Sequence, residues 1–147
     1  MPRPSVLRYA TMQIDASKLG DFAARYAEAW CSKDPARVAG FFSVEGSLSV
    51  NSGAPAVGRN AITEVARSFM TALPDMRVTL DKLVEQRSCV EFHWTLTGTN
   101  TGPGGTGKSV RISGFERWQI APDGLIASSQ GHFDASEYER QLRHGMT

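Results

Sequence analysis

A chain of 147 residues is about one domain long and can bury ~68–70% of its unfolded surface, enough for a true core with no room for a second domain. With 16 Lys and Arg against 15 Asp and Glu, the net charge is +1, which excludes a global field that would draw nucleic acid or anionic lipid. No stretch of ~18 apolar residues is present to cross a membrane, and residues 1–14 hold prolines and basic residues but no continuous apolar core of a signal peptide. They are expected to form a loose arm ahead of one domain over 15–147. Cys31 and Cys89, in an apolar helix pattern and an apolar strand pattern, read as buried reduced thiols and point to the cytoplasm.

From Ser17 to Ser32, Leu19, Phe22, Ala23, Tyr26, Ala29 and Trp30 recur at helical spacing, so a first helix turns two aromatics, Tyr26 and Trp30, inward. Asp34-Pro35 is a cap followed by proline at the first helical position, and Val38, Phe41 and Phe42 give the short second helix its apolar side. Gly46 to Asn51 reads as a strand. After a Ser52-Gly-Ala-Pro loop, Asn60 is expected to cap a third helix with the stripe Ile62, Val65, Ala66, Phe69, Met70 and Leu73, which Pro74 ends.

Beyond Pro74 the period falls to two: Met76, Val78, Leu80; Val90, Phe92, Trp94, Leu96; Val110, Ile112, Glu116, Trp118, Ile120; then Leu125 to Phe133. These predict long antiparallel strands, the last two joined by a tight turn at Pro122-Asp123-Gly124. Ser136 is expected to cap a short terminal helix. Helices followed by a meander define an α+β fold, in which a strongly bent sheet with helices across its open side encloses one pocket.

Strand alternation sorts the side chains around that pocket. If Phe92, Trp94 and Leu96 face in, then Glu91, His93 and Thr95 face out; Glu116 and Trp118 face in, while Arg111, Phe115 and Arg117 face out. On the last strand Ala127, Ser129, Gly131 and Phe133 are the inward set, which leaves His132 outward unless a bulge intervenes. An acid at 116 on an apolar face must be paired or protonated; it is either a proton donor with a raised pKa or the partner of an arginine at the pocket rim. Asp134 is a candidate base or a helix-entry acid.

The segment from Gly102 to Ser109 fits the P-loop spacing letter for letter. A P-loop needs a helix after it to hold phosphates, and Val110 to Glu116 reads as a strand, so the segment is expected to be a glycine-rich loop without nucleotide affinity. His93, His132 and His144 lack metal-ligand spacing, and no cofactor is implied.

Several segments in order, Trp94-Thr-Leu-Thr-Gly-Thr-Asn-Thr-Gly-Pro, Thr106-Gly-Lys, Gly114-Phe-Glu-Arg, Asp123-Gly-Leu-Ile, and Phe133-Asp134 ahead of Gln141-Leu142, resemble the SnoaL-like polyketide cyclases of the nuclear transport factor 2-like superfold, over residues 17–144. Asn100 stands where those cyclases often have histidine. Tyr26 and Glu116 also resemble, in their spacing, the oxyanion-hole tyrosine and acid of ketosteroid isomerases, in which the acid stays protonated in an apolar site. The isomerase base does not carry over: its place falls on Val50 or Asn51, and the acid usual on the last strand falls on Gln130, Gly131 or His132.

The resemblance implies a pocket for a hydrophobic small molecule. Tyr26, Glu116, His132 and Asp134 are its candidate catalytic groups, and Trp30, Phe42, Asn51, Phe69, Phe92, Trp94, Trp118, Ser129 and Phe133 its candidate substrate-binding groups. The expected activity is cyclisation, isomerisation or dehydration of a carbonyl compound; the alternative is a binding module that kept the pocket and lost the base. The outward face carrying His93, Arg111, Phe115 and Arg117 is the expected homodimer surface.

Overall fold

The computed structural model describes residues 16–147; the expected arm over 1–14 lies outside the described residues. Four helices and six strands follow one another as α1 (Ala16–Cys31), α2 (Pro35–Ala39), β1 (Phe42–Val50), β2 (Ala56–Val57), α3 (Arg59–Ala72), β3 (Arg77–Glu85), β4 (Val90–Thr99), β5 (Ser109–Ile120), β6 (Ile126–Phe133) and α4 (Ala135–His144). The architecture is α+β, as the order of periods predicts, with one curled, unclosed sheet in the order β2-β1-β6-β5-β4-β3.

Three of its strand junctions form the expected antiparallel meander, and β1 also pairs antiparallel with β2. Where the all-antiparallel expectation fails is between β1 and β6, which run parallel, Leu48 opposite Ser129 and Val50 opposite Gly131. The long crossover from β1 through α3 and three further strands makes this possible, since parallel neighbours need no tight turn. The hairpin from β5 to β6 closes through Gly124 at φ 84°, with Ala121 N–H donating to Leu125 O.

Helix ends account for the other differences. Phe42 opens β1 rather than completing α2, because α2 stops at Ala39 and Gly40 takes the cap. The cap of α3 is Gly58, at φ 90°, and not Asn60; a backbone in that region favours glycine over a residue able to bond through its side chain. At α4 the cap is Asp134, whose Oδ1 accepts from Glu137 N–H at 3.0 Å, so Ser136 lies inside the helix. Cys89 sits in the turn before β4 rather than within the strand, and both thiols are half-buried.

The core lies between the concave side of the sheet and the helices. α1 packs on β3, α3 on β1 and β2, and α4 on β5. Ala23, Tyr26, Phe42, Ile62, Phe92, Trp118 and Ile126 are fully buried there. Among the described residues the buried polar side chains are Glu116, Ser129 and Gln141, and the first two belong to one cluster.

Candidate functional site

Alternation along β5 turns Glu116 and Trp118 to the concave side, and alternation along β6 turns Ser129 and Gly131 to meet them, Glu116 opposite Gly131 and Trp118 opposite Ser129. The stripe of α1 brings Tyr26 down onto the same point. Three donors converge on a single atom: Tyr26 Oη–H, Trp118 Nε1–H and Ser129 Oγ–H reach Glu116 Oε1 at 2.8, 2.9 and 2.7 Å. Trp118 stacks on Phe92 with centroids 5.0 Å apart, and Tyr26 stands edge-on to both rings at 5.2 Å. The Tyr26 and Trp118 donors are thereby held in one orientation by close aromatic packing.

The other carboxyl oxygen is different. No donor among the described residues bonds Oε2, and it is not sealed off by its neighbours. Glu116 lines a pocket that contains a cavity of about 60 Å³, so Oε2 is the oxygen left for whatever enters. Burial raises the Glu116 pKa, and the three hydrogen bonds oppose that rise only in part. Desolvation and the adjoining carboxylate push the Tyr26 hydroxyl well above its ordinary value, so it remains a donor. A carboxyl with one oxygen saturated by donors takes and releases its proton at the other. The site can therefore exchange a proton with a bound molecule at Oε2.

Of the expected binding residues, Trp30, Phe69, Phe92, Trp94 and Phe133 line the pocket. The remaining wall is Leu48, Val50, Val65, Val78, Leu96, Ile112, Gly131 and Tyr138. Among these lining residues Glu116 alone can be charged near neutral pH. Tyr138, on the inner face of α4, was legible only as an aromatic three places before Gln141; its ring packs on Phe133 at 5.6 Å.

Other expected positions fall outside the lining. Tyr26 stands behind Glu116 with its hydroxyl committed to it, not aimed at the pocket. Trp118 and Ser129 likewise support the carboxyl from behind, and Phe42 is packed into the core against the Tyr26 ring. Asn51, at φ 50°, uses Oδ1 to accept from Phe133 N–H at 2.9 Å and so fixes the end of β6. His132 lies on the convex face against the Phe115 ring, as parity requires, and Asp134 is occupied as the α4 cap. The rim pairing for Glu116 is not formed: Arg117 bonds Glu91 at 3.0 Å on the convex side.

Among the described residues one sealed side-chain polar atom lacks a hydrogen-bond partner. Trp94 Nε1 is buried without a partner among the described residues, a state that costs about 1–3 kcal/mol for a neutral donor. Gly114, paired with Trp94 across β4 and β5, makes room for the indole; a Cβ there would lie 2.7 Å from Trp94 Cζ2.

The P-loop-like segment is a loop. Asn100 N–H donates to Lys108 O and Gly107 N–H to Asn100 O, and the chain then enters β5 rather than a helix. Among the described residues no three His, Cys, Asp or Glu side chains gather as a metal site, and no helix is long and apolar enough to cross a membrane.

The curled, unclosed sheet with its four helices is the architecture of the ketosteroid isomerase-like fold. Residues 23–129 match the SnoaL-like domain model, and the chain belongs to the SnoaL-like family. No curated protein matches the sequence significantly. Among solved structures it resembles a candidate SnoaL-like polyketide cyclase from Jannaschia sp. CCS1, at TM-score 0.76 and 14% identity over 88% of this chain and 94% of that one. It also resembles a ketosteroid isomerase-like protein from Catenulispora acidiphila in complex with trimethylamine, at TM-score 0.72 and 18% identity over 82% and 91% of the two chains. A third likeness is to SalBIII, an epoxide hydrolase/cyclase-like enzyme of pyran ring formation in salinomycin, at TM-score 0.70 and 19% identity over 84% and 95%. Identities this low establish the shared fold. The family supports a cyclase-type function in general terms.

Proposed function

We propose that the protein is an enzyme acting on a neutral, hydrophobic carbonyl compound, with Glu116 as the proton-transfer group. The observation that carries this reading is the asymmetry of its carboxyl: Oε1 is saturated by Tyr26, Trp118 and Ser129, while Oε2 is left to the pocket. In the forward step Oε2 takes a proton from the carbon beside the carbonyl, the C–H electron pair becomes the enolate's C=C bond, and the C=O π pair moves onto the oxygen. Return of the proton to another carbon isomerises the compound; attack of the enolate carbon on a second carbonyl of the same molecule closes a ring, that carbonyl's π bond breaking and its oxygen taking the proton from Oε2. The three donors on Oε1 stabilise the carboxylate between turnovers, and the absence of a cation among the lining residues disfavours anionic substrates.

The test is exchange of solvent deuterium into 2-tetralone, followed by NMR. Wild-type protein is expected to accelerate exchange, and Glu116→Gln, which preserves the acceptor on Oε1, to reduce the rate by ~10²–10⁴-fold. Equal exchange by both proteins overturns the reading.

A second reading, a ligand-binding module, is favoured by the lack of another acid or base in the pocket wall. The Catenulispora neighbour holds trimethylamine, and aromatic walls around one carboxyl suit a small amine in this chain as well. Under that reading neither protein promotes exchange.

A further inference from the structure

We infer that Gly131 is the specificity-determining position of the pocket: the side chain it lacks leaves room beside Glu116 for a branch on the substrate carbon that gives up its proton. The inference rests on the carbonyl-compound reading above and names the substrate class of that same site, ketones that carry a substituent on the carbon next to the carbonyl.

Glycine is an unfavourable choice inside an inner strand, since it loses the most backbone freedom on folding and packs nothing. Gly131 is held there from both sides, opposite Glu116 on β5 and Val50 on β1, and its carbonyl accepts from Asn51 N–H at 2.8 Å. Neither usual reason for glycine applies to it. It lies within β6 and has no positive φ. A Cβ at 131 would meet Ser49 O at 3.4 Å and Glu116 Cγ at 3.8 Å among the described residues, both ordinary contacts. Gly114 is the contrast, because a Cβ there would collide with Trp94 Cζ2 at 2.7 Å. The fold accepts a side chain at 131, and what its absence leaves is space.

That space belongs to the pocket. Gly131 lines it, and every other lining residue carries a branched aliphatic or aromatic side chain, or is Glu116 itself. Paired residues of neighbouring strands share a face, and a Cβ at contact distance from Glu116 Cγ places the void alongside the carboxyl whose Oε2 is left to the pocket. Proton transfer to Oε2 requires the reacting carbon to come within about 3–3.5 Å of that oxygen. A substituent on this carbon is carried to the flank of the carboxyl, where Gly131 leaves it room.

The test sets a methyl on the protein against a methyl on the ligand. Binding of 2-tetralone and of racemic 1-methyl-2-tetralone is followed by quenching of tryptophan fluorescence, since Trp30 and Trp94 line the pocket. Wild-type protein is expected to bind both ketones. Gly131→Ala is expected to weaken 1-methyl-2-tetralone at least about tenfold and 2-tetralone less than about threefold, while melting no lower than wild type. Three results overturn the inference: a wild type that fails to bind the branched ketone, equal weakening of both ketones in the variant, or a variant that melts well below wild type, which would mean that the backbone requires the glycine. The readout is binding and needs no turnover. Selective loss of the branched ketone together with a failed Glu116 exchange test removes the reaction and keeps the role of Gly131; equal loss together with exchange that depends on Glu116 does the reverse.

Discussion

Burial and hydrogen bonding act on Glu116 in opposite directions, and burial prevails. Because the folded-state pKa lies above the ordinary value of 4.5, the native protein holds a proton there that the unfolded chain releases first. Its contribution to stability is therefore full below about pH 4.5 and declines as pH rises toward the folded value. Urea unfolding of wild type and Glu116→Gln across this range is expected to show the wild type losing ground to the variant as pH increases; parallel curves would contradict it. Tyr26 shows why such a site is only half legible in sequence. Helical period brings it to the concave side, but period cannot say whether its hydroxyl meets the cavity or a neighbouring side chain. That depends on Trp118, two places along the same strand, and Ser129 of β6 arriving at the same oxygen. Glu116 itself was legible, since an acid between inward apolar positions is buried without charge or with dedicated donors.

The alternation of β4, β5 and β6 foretold which side chains share a face, and the outward placement of His132 and Arg117 follows from it. What alternation does not encode is partner choice. Nothing in Leu48 or Val50 announces parallel pairing with β6, because strands pair through backbone N–H and C=O groups that every such residue carries alike. Caps are ambiguous for a related reason: Asp134 and Ser136 each suit a helix start, and backbone geometry selects the first. Asp134→Ala is expected to cost about 1 kcal/mol of stability, and Ser136→Ala much less. Thermal denaturation of the two variants checks this, and the reverse order would reassign the cap.

Across the whole molecule the convex face stands out. His93, Phe115 and His132, in register on β4, β5 and β6, form a half-buried aromatic row with centroids 5.3 and 5.0 Å apart, and Arg117 lies over the Phe115 ring at 5.5 Å. We propose this row as the contact between two copies of the chain, since a two-fold axis makes such a patch complementary to itself. Sedimentation at micromolar concentration is expected to show a dimer that Phe115→Glu dissociates; a monomeric wild type would remove the proposal. The parallel junction of β1 with β6 has a further consequence, for the order of events in folding. It places the last strand made in the interior of the sheet, between the first strand and β5, and the bond from Tyr26 to Glu116 spans 90 residues. During synthesis the pocket cannot close until β6 has left the ribosome, so β1 and β5 wait with open edges. Such non-local closure slows folding and lengthens exposure of those edges. In this fold the carboxyl site and the seam of the sheet are completed by the same late event.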